Sequence, residues 1–324
     1  MKKVLITGGA GFVGRNFTKF FLDIGYDVTV VDSIVDLTGG IHPNKWMNYA
    51  PFDFKNFKFE KKDCREWFKE NNITDFDYVL HLAAMVGGRE IIENSPITVA
   101  DDLSIDSQFW QWATLNMPKK VVQFSSSACY PIAYQTKENY ILLEENMVDF
   151  NKKIGVPDLT YGWAKLTSEY LGKIAFEKYG LKSVCYRPFS GYGEDQDLNY
   201  PFPSICKRVL SNINQSKITV WGSGDQMRDF IHISDCVAAV NKTMDQINDG
   251  SAINLSTGKL TSFKEFVKIT SSLLGFDPEV VGTSNKPEGV FARGGDTQLQ
   301  NKLGIQNKIT FKDGISKALE FYNK

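Results

Sequence analysis

The stretch from Val4 to Asp32 constrains the fold of this chain more than any other. Val4, Leu5 and Ile6 form an apolar run too short for a helix, and it leads directly into Thr7-Gly8-Gly9-Ala10-Gly11-Phe12-Val13-Gly14. A run of this kind reads as a parallel strand buried on both faces and entering a glycine turn. Phe12, Val13, Phe17, Phe20, Phe21 and Ile24 then recur at helical spacing, and Gly25 is placed to end the helix. A second strand, Val28 to Val31, stops at Asp32. Strand, glycine turn, helix and strand in this order make a dinucleotide-binding unit. One glycine permits the tight turn, one lets backbone amides approach a pyrophosphate, and one lets helix and strand pack closely. The spacing is GxxGxxG rather than GxGxxG, and three glycines alone would also fit a turn that binds nothing. Asp32 adds the missing context: a carboxylate at this strand end accepts bonds from an unmodified ribose and repels a 2′-phosphate. No Arg follows within several residues, so NAD is favoured over NADP, the other reading of Asp32 being a solvated strand-end acid.

Composition removes several classes. Lys and Arg total 37 against 38 for Asp and Glu, and no long basic run stands out, so a phosphate-backbone partner such as nucleic acid is not expected. Cys64, Cys129, Cys185, Cys206 and Cys236 are widely spread without a CxxC pair, which fits reduced cytoplasmic thiols, and with only three histidines no metal is expected. No apolar run approaches a membrane span, and the apolar stretch at the start is too short for a signal peptide. Strands are predicted at 57–61, 78–82, 120–125 and 183–186, separated by helical segments that include long ones at 97–115 and 162–178. The fold expected is α/β, a Rossmann-type doubly wound parallel sheet over 1–188, with a later segment near 218–255 returning to it. After Pro188 the glycines and prolines change the texture, and 189–324 reads as a smaller mixed α/β substrate-binding region, with helices at 263–274 and 314–322. A long loop is expected from about 131 to 157.

Tyr161-Gly162-Trp163-Ala164-Lys165 opens a helix and puts a phenol and an ammonium on one helix face. The cation favours phenolate over phenol, so Lys165, together with an oxidised nicotinamide, can bring Tyr161 toward neutrality as a base. Upstream, Ser125, Ser126 and Ser127 end a strand at the carboxyl edge where open α/β sheets bind ligands. A hydroxyl there can bond the same substrate oxygen that Tyr161 deprotonates. Each piece has a plainer reading, a solvated Tyr and Lys and a serine-rich strand end.

Together, TGGAGFVG at 7–14, Asp32, Asp63, HLAA at 81–84, the serine cluster, YGWAK at 161–165 and Arg187-Pro188 resemble the extended short-chain dehydrogenase/reductases that act on nucleotide sugars. The resemblance covers essentially the whole chain. Val86-Gly87-Gly88, the cysteine two places after the last serine, and VWGSGDQMRDFIHISD at 220–235 look most like the GDP-fucose synthases and GDP-mannose 3,5-epimerases. What the resemblance implies is an NAD-dependent nucleotide-sugar epimerase, GDP-sugar favoured, in which Tyr161 takes the proton of a sugar hydroxyl, normally at C4, while hydride passes to NAD and Ser127 and Lys165 assist. The 4-keto group then acidifies the C3 and C5 hydrogens, and a thiol placed like Cys129 would be an acid/base group for inverting those centres. A small buried apolar residue is the other reading of Cys129. The resemblance also sets Asp63 by the adenine, Cys64, Leu82, Ala83 and Ala84 along the cofactor, and Val86, Gly87, Gly88 and Asn199 at the sugar nucleotide. Arg228 and Arg293 match positions that bind its diphosphate, a task suited to planar guanidinium. His232 reads as structural, and a homodimer through two long helices is the family expectation.

The pattern is broken in places. Ser127-Ala128-Cys129 runs directly into Tyr130-Pro131, one residue shorter than usual, which keeps Ser126 open beside Ser127. Asn199-Tyr200-Pro201-Phe202 holds no His or Lys where 3,5-epimerising relatives carry a second acid/base, and Asp102 and Gln108 stand where asparagines are usual. A plain 4-epimerase, a 4-dehydrogenase releasing the 4-keto nucleotide sugar and a 4-keto-sugar reductase therefore remain as alternatives, a 4,6-dehydratase being disfavoured because Ala128 and Cys129 supply no acid. The reading from another class is a noncatalytic NAD-sensing protein on the same fold.

Overall fold

A computed structural model of the chain describes residues 1–72, 75–85, 87–283 and 288–323. Strands β1 (Lys3–Thr7), β2 (Asp27–Asp32), β3 (Phe57–Lys61), β4 (Tyr78–His81), β5 (Val121–Phe124) and β6 (Ser183–Pro188) join the strand Asp249–Leu255 in one parallel sheet. From one edge to the other the order is β3, β2, β1, β4, β5, β6 and Asp249–Leu255, with the reversal of direction at β1 and β4 that defines a doubly wound sheet. Helices α1 (Phe12–Asp23), α2 (Cys64–Glu70), α3 (Arg89–Asn94), α4 (Pro96–Val99), α5 (Asp102–Asn116) and α6 (Leu159–Tyr179) follow successive strands.

Alternation along β1 divides the core. Val4 and Ile6 point to the face covered by Phe17, Phe21 and Leu22 of α1, whereas Leu5 points to the face covered by Trp67, Phe68, Phe109 and Trp112. Both faces are therefore apolar, which is why the strands read as continuous runs. The predicted helix at 97–115 is divided: α4 ends at Val99 and α5 begins at Asp102, after a turn whose Asp101 carboxylate is held by Arg65 at 2.8 Å.

The segment that returns to the sheet is shorter than the sequence implied. The strand Lys217–Trp221 pairs with Glu279–Thr283 outside the main sheet, and the return begins only with the helix Ile233–Thr243, which packs beside α1 and leads into Asp249–Leu255. The remaining elements gather around Phe202, Phe230, Phe266 and Phe311, with the rings of Phe230 and Phe311 stacked 4.5 Å apart. Among the described residues no helix is long and apolar enough to cross a membrane.

Candidate active site

A cavity of about 590 Å³ opens where the carboxyl ends of β1, β2, β4, β5 and β6 meet the smaller cluster of elements. Gly8, Gly11, Phe12, Val13, Gly14, Asp32, Asp63, Cys64, Leu82, Ala83 and Ala84 all line it. Two glycines are required by geometry. Gly8 sits at φ +72°, where a Cβ would lie 2.5 Å from the Ala83 nitrogen, and a Cβ on Gly14 would lie 2.4 Å from the Cα of Gly9. Gly11 has no such neighbour closer than the Gly8 carbonyl at 3.4 Å, and it caps the N-terminus of α1 beside the cavity. That bare turn at a helix N-terminus is a cradle for a pyrophosphate. Asp32 faces it from β2. Its Oδ2 accepts the Ala10 amide at 2.9 Å and its Oδ1 the Ile34 amide at 2.7 Å, leaving each oxygen a lone pair for a ribose hydroxyl. Burial pushes this carboxyl up against the pull of those amides. Asp63 caps α2 and is gripped by Arg65, whose guanidinium holds the carboxyl below its usual range. These groups suit the pyrophosphate and the adenosine half of a dinucleotide.

The dyad stands at the other end of the same cavity. Tyr161 lines the wall in the first turn of α6, and the Lys165 ammonium lies beneath it, 5.9 Å from the ring centre. Ser126 and Ser127 both line the wall; the Ser126 hydroxyl is the one whose neighbourhood lowers the Tyr161 phenol, and it accepts the Ala128 amide at 3.1 Å. Burial pushes Tyr161 up, with Lys165 and the Ser126 hydroxyl opposing and Asp102 and Asp106 adding to the rise. Lys165 pulls the phenol down as expected of an ammonium, but the phenol as a whole is raised, away from neutrality. Desolvation and two carboxylates win over one ammonium.

Those carboxylates form a buried group behind the dyad. Burial would strip the Lys165 proton, but Asp106, Asp102 and Tyr161 hold the ammonium charged. Burial likewise raises Asp106, and Lys165 and His81 reverse it, so Asp106 stays ionised. Burial keeps His81 neutral. Its Nε2 lies 3.0 Å from Asp106 Oδ1 and its Nδ1 2.8 Å from Thr7 Oγ1. A carboxylate only accepts, so the imidazole proton belongs on Nε2 and the Thr7 hydroxyl donates to Nδ1. Asp102 accepts the Met85 amide with one oxygen, and the other is buried without a partner among the described residues.

On the facing wall, Arg228 and Arg293 line the cavity from adjoining short strands. Among the described residues Arg228 bonds only carbonyl oxygens, Met227 at 2.8 Å and Glu288 at 3.4 Å, and it is pushed down to about 9 by burial and by the neighbouring Arg293 and Arg89. Four expected residues stand elsewhere. Asn199 is exposed on a loop off the wall, Gly88 abuts its carbonyl, and Gly87 is buried against Ile91. Cys129 is 0% exposed, enclosed by Tyr130, Leu143, Leu166 and Phe189. The tight turn Ser127–Cys129 aims its side chain inward, and burial pushes the thiol far above its ordinary value. A sealed, protonated thiol cannot exchange protons with a ligand in the cavity, which corrects the expected acid/base role. Val86 lies outside the described residues.

Sequence reading passed over Arg65, Tyr200 and Arg89. Arg65 follows Asp63 by two places, the one signal available. Tyr200 lines the wall, its phenol pushed up by burial and by the nearby Tyr161.

Comparison with known proteins gives a consistent result. Residues 4–256 match the family described as NAD dependent epimerase/dehydratase. The GDP-L-colitose synthase of Yersinia pseudotuberculosis is 23% identical over 99% of this chain and 97% of its own. The UDP-glucose 4-epimerase of Thermotoga maritima, solved with UDP-glucose, superposes with a TM-score of 0.82 at 23% identity, covering 99% of this chain and 98% of that one. The UDP-glucose 4-epimerase of Thermus thermophilus, solved with NAD, gives 0.81 at 21% identity, with 99% of each chain covered.

Proposed function

The chain belongs to the NAD-dependent epimerase/dehydratase family, and from that premise we propose that it is a nucleotide-sugar 4-epimerase. It is an enzyme of the extended short-chain dehydrogenase/reductase type whose cofactor is NAD. When bound, NAD supplies the acceptor and donor of hydride. The chain's own residues handle the proton: Tyr161 takes it from the sugar C4 hydroxyl and returns it after the 4-keto group has been reduced from its other face. Lys165 stabilises the phenolate, and Ser126 and Ser127 bond the oxygen on which charge develops. Arg228 and Arg293 hold the diphosphate and keep the sugar's reacting end toward Tyr161.

The observation that carries this reading is the sealing of Cys129. Inversion at C3 or C5 needs a side chain that exchanges a carbon-bound proton; the described wall residues include no His, Lys or Glu, their cysteine is Cys64 near Asp32, and the groups left beside Tyr161 are aspartates and Tyr200, whose phenol burial pushes up. Inversion at C4 needs no further acid or base. For the base of the nucleotide, Gly87-Gly88 and the stretch 220–235 favour guanine, and the 4-epimerase fold neighbour solved with UDP-glucose supports uracil as the next to test. The exposed Leu103, Leu115, Trp163 and Tyr170 on the packed helices α5 and α6 support a homodimer through them.

Incubation with GDP-, UDP- and dTDP-sugars in D2O tests the proposal, with absorbance at 340 nm and product NMR followed together. C4 inversion without deuterium and without NADH accumulation is expected. Deuterium at C3 or C5 would overturn it, NADH accumulation would make the enzyme a net dehydrogenase, and bound NAD without turnover of any sugar nucleotide would point to the noncatalytic reading.

A further inference from the structure

Asp158 immediately precedes α6 and is 5% exposed. It occupies the N-cap position of that helix, yet its carboxylate makes no capping bond. Its Oδ2 instead accepts two guanidinium hydrogen bonds, from Arg89 Nη1 at 2.7 Å and from Arg293 Nη2 at 2.8 Å. Burial would raise this carboxyl, and the two arginines more than reverse that. Arg293 is fixed further by Gln135, whose Oε1 accepts its Nε at 2.6 Å, while Arg89 is also paired with Glu93 at 2.5 Å. The backbone of Asp158 is equally committed. Its amide donates to the Ala128 carbonyl at 2.9 Å, in the turn that carries Ser127, and its carbonyl accepts the Gly162 amide at 2.9 Å, one residue beyond Tyr161. Between them Leu159 sits at φ +53°, a left-handed conformation that a leucine adopts only when its surroundings impose it.

We propose that Asp158 is a positioning residue that sets the span between the arginines holding the substrate's diphosphate and the Tyr161 phenol. The proposal rests on the reading of Arg228 and Arg293 as the diphosphate site. A carboxylate beside such a site repels the anion, so its presence is not explained by affinity. It is explained by register: one residue ties Arg293, the serine turn and the first turn of α6 together, and an ångström of misplacement at a reacting centre lowers rates about 100-fold. Nucleotide affinity and turnover therefore respond to Asp158 in opposite directions.

The test uses D158N and D158E in the full-length enzyme. It compares kcat and KM on whichever sugar nucleotide the wild type turns over, calorimetric binding of UDP and GDP, and NAD titration. D158N is expected to lower kcat roughly 10- to 100-fold, while binding UDP or GDP at least as tightly as the wild type and NAD unchanged. D158E restores the charge one methylene further out, so it is expected to return nucleotide affinity to the wild-type value without returning kcat. It also carries the test should D158N not fold. A kcat within about threefold of wild type in D158N, full recovery of kcat in D158E, or a parallel fall of kcat and nucleotide affinity would each overturn the proposal. A wild type that neither binds UDP or GDP nor turns over any sugar nucleotide removes the proposal together with the functional reading, and that outcome is visible before any variant is made.

Discussion

Asp102 offers a sharp energetic test, because it is 1% exposed and one of its oxygens has no partner among the described residues. Burial pushes its carboxyl up to about 6, with Lys165 opposing and Asp106 adding to the rise. In the unfolded chain the same group titrates near 4. Between those two values the native state holds a proton that the unfolded state has lost, so stability falls as pH rises from about 4 to 6. Above that window the full penalty of an ionised, buried carboxylate is present, at most about 3 kcal/mol at 1.36 kcal/mol per pH unit. Asp102→Asn removes the charge while keeping an oxygen for the Met85 amide. The variant is therefore expected to be more stable than the wild type at pH 8 by up to about 3 kcal/mol, and equal to it near pH 4. For 324 residues the unfolding entropy is about 0.7 kcal/mol/K, so the gain is about 4 °C in Tm. Thermal unfolding of both proteins at pH 4.5, 6 and 8 makes the comparison. A gain of the same size at every pH, or a loss at pH 8, would refute the reasoning, since it would mean that Lys165 already compensates the charge. The same substitution has a functional sign. Asp102 raises the Tyr161 phenol, so in the variant the rising limb of kcat against pH moves to lower pH.

Two further substitutions probe the cofactor end of the cavity and the core behind its serine turn. Asp32→Asn keeps an acceptor for the Ala10 and Ile34 amides but loses the charge, and it is expected to weaken NAD binding about 10-fold and narrow the preference over NADP, measured by titration with each. Cys129→Ala is expected to cost about 1–2 kcal/mol of stability and leave kcat within about threefold, measured by urea unfolding and steady-state rates; a loss of 100-fold would return the thiol to the chemistry.

What the sequence determined by itself was local. Strand, glycine turn and helix from Val4 to Ile24, Asp32 at a strand end, and Tyr161 and Lys165 four residues apart are dictated by steric and helical periodicities that act over a few bonds. The parallel order of the sheet followed from the alternation of such units, and so the position of the cavity at the carboxyl ends was legible as well. The direction of a single side chain was not. Cys129 follows the serines as an acid/base thiol would, but a tight turn and the apolar packing of Tyr130, Leu143, Leu166 and Phe189 behind it decide that it faces the core. The ionisation of the dyad was not legible, because burial of the Tyr161 phenol and two aspartates on a helix 59 or more residues upstream of Lys165 oppose the lysine and leave the phenol raised. The bridge at Asp158 joins residues 69 and 135 positions apart, and no local rule brings such partners together. Tertiary structure alone decided these, because burial and Coulomb interaction depend on distance in space, and only the folded chain sets that distance.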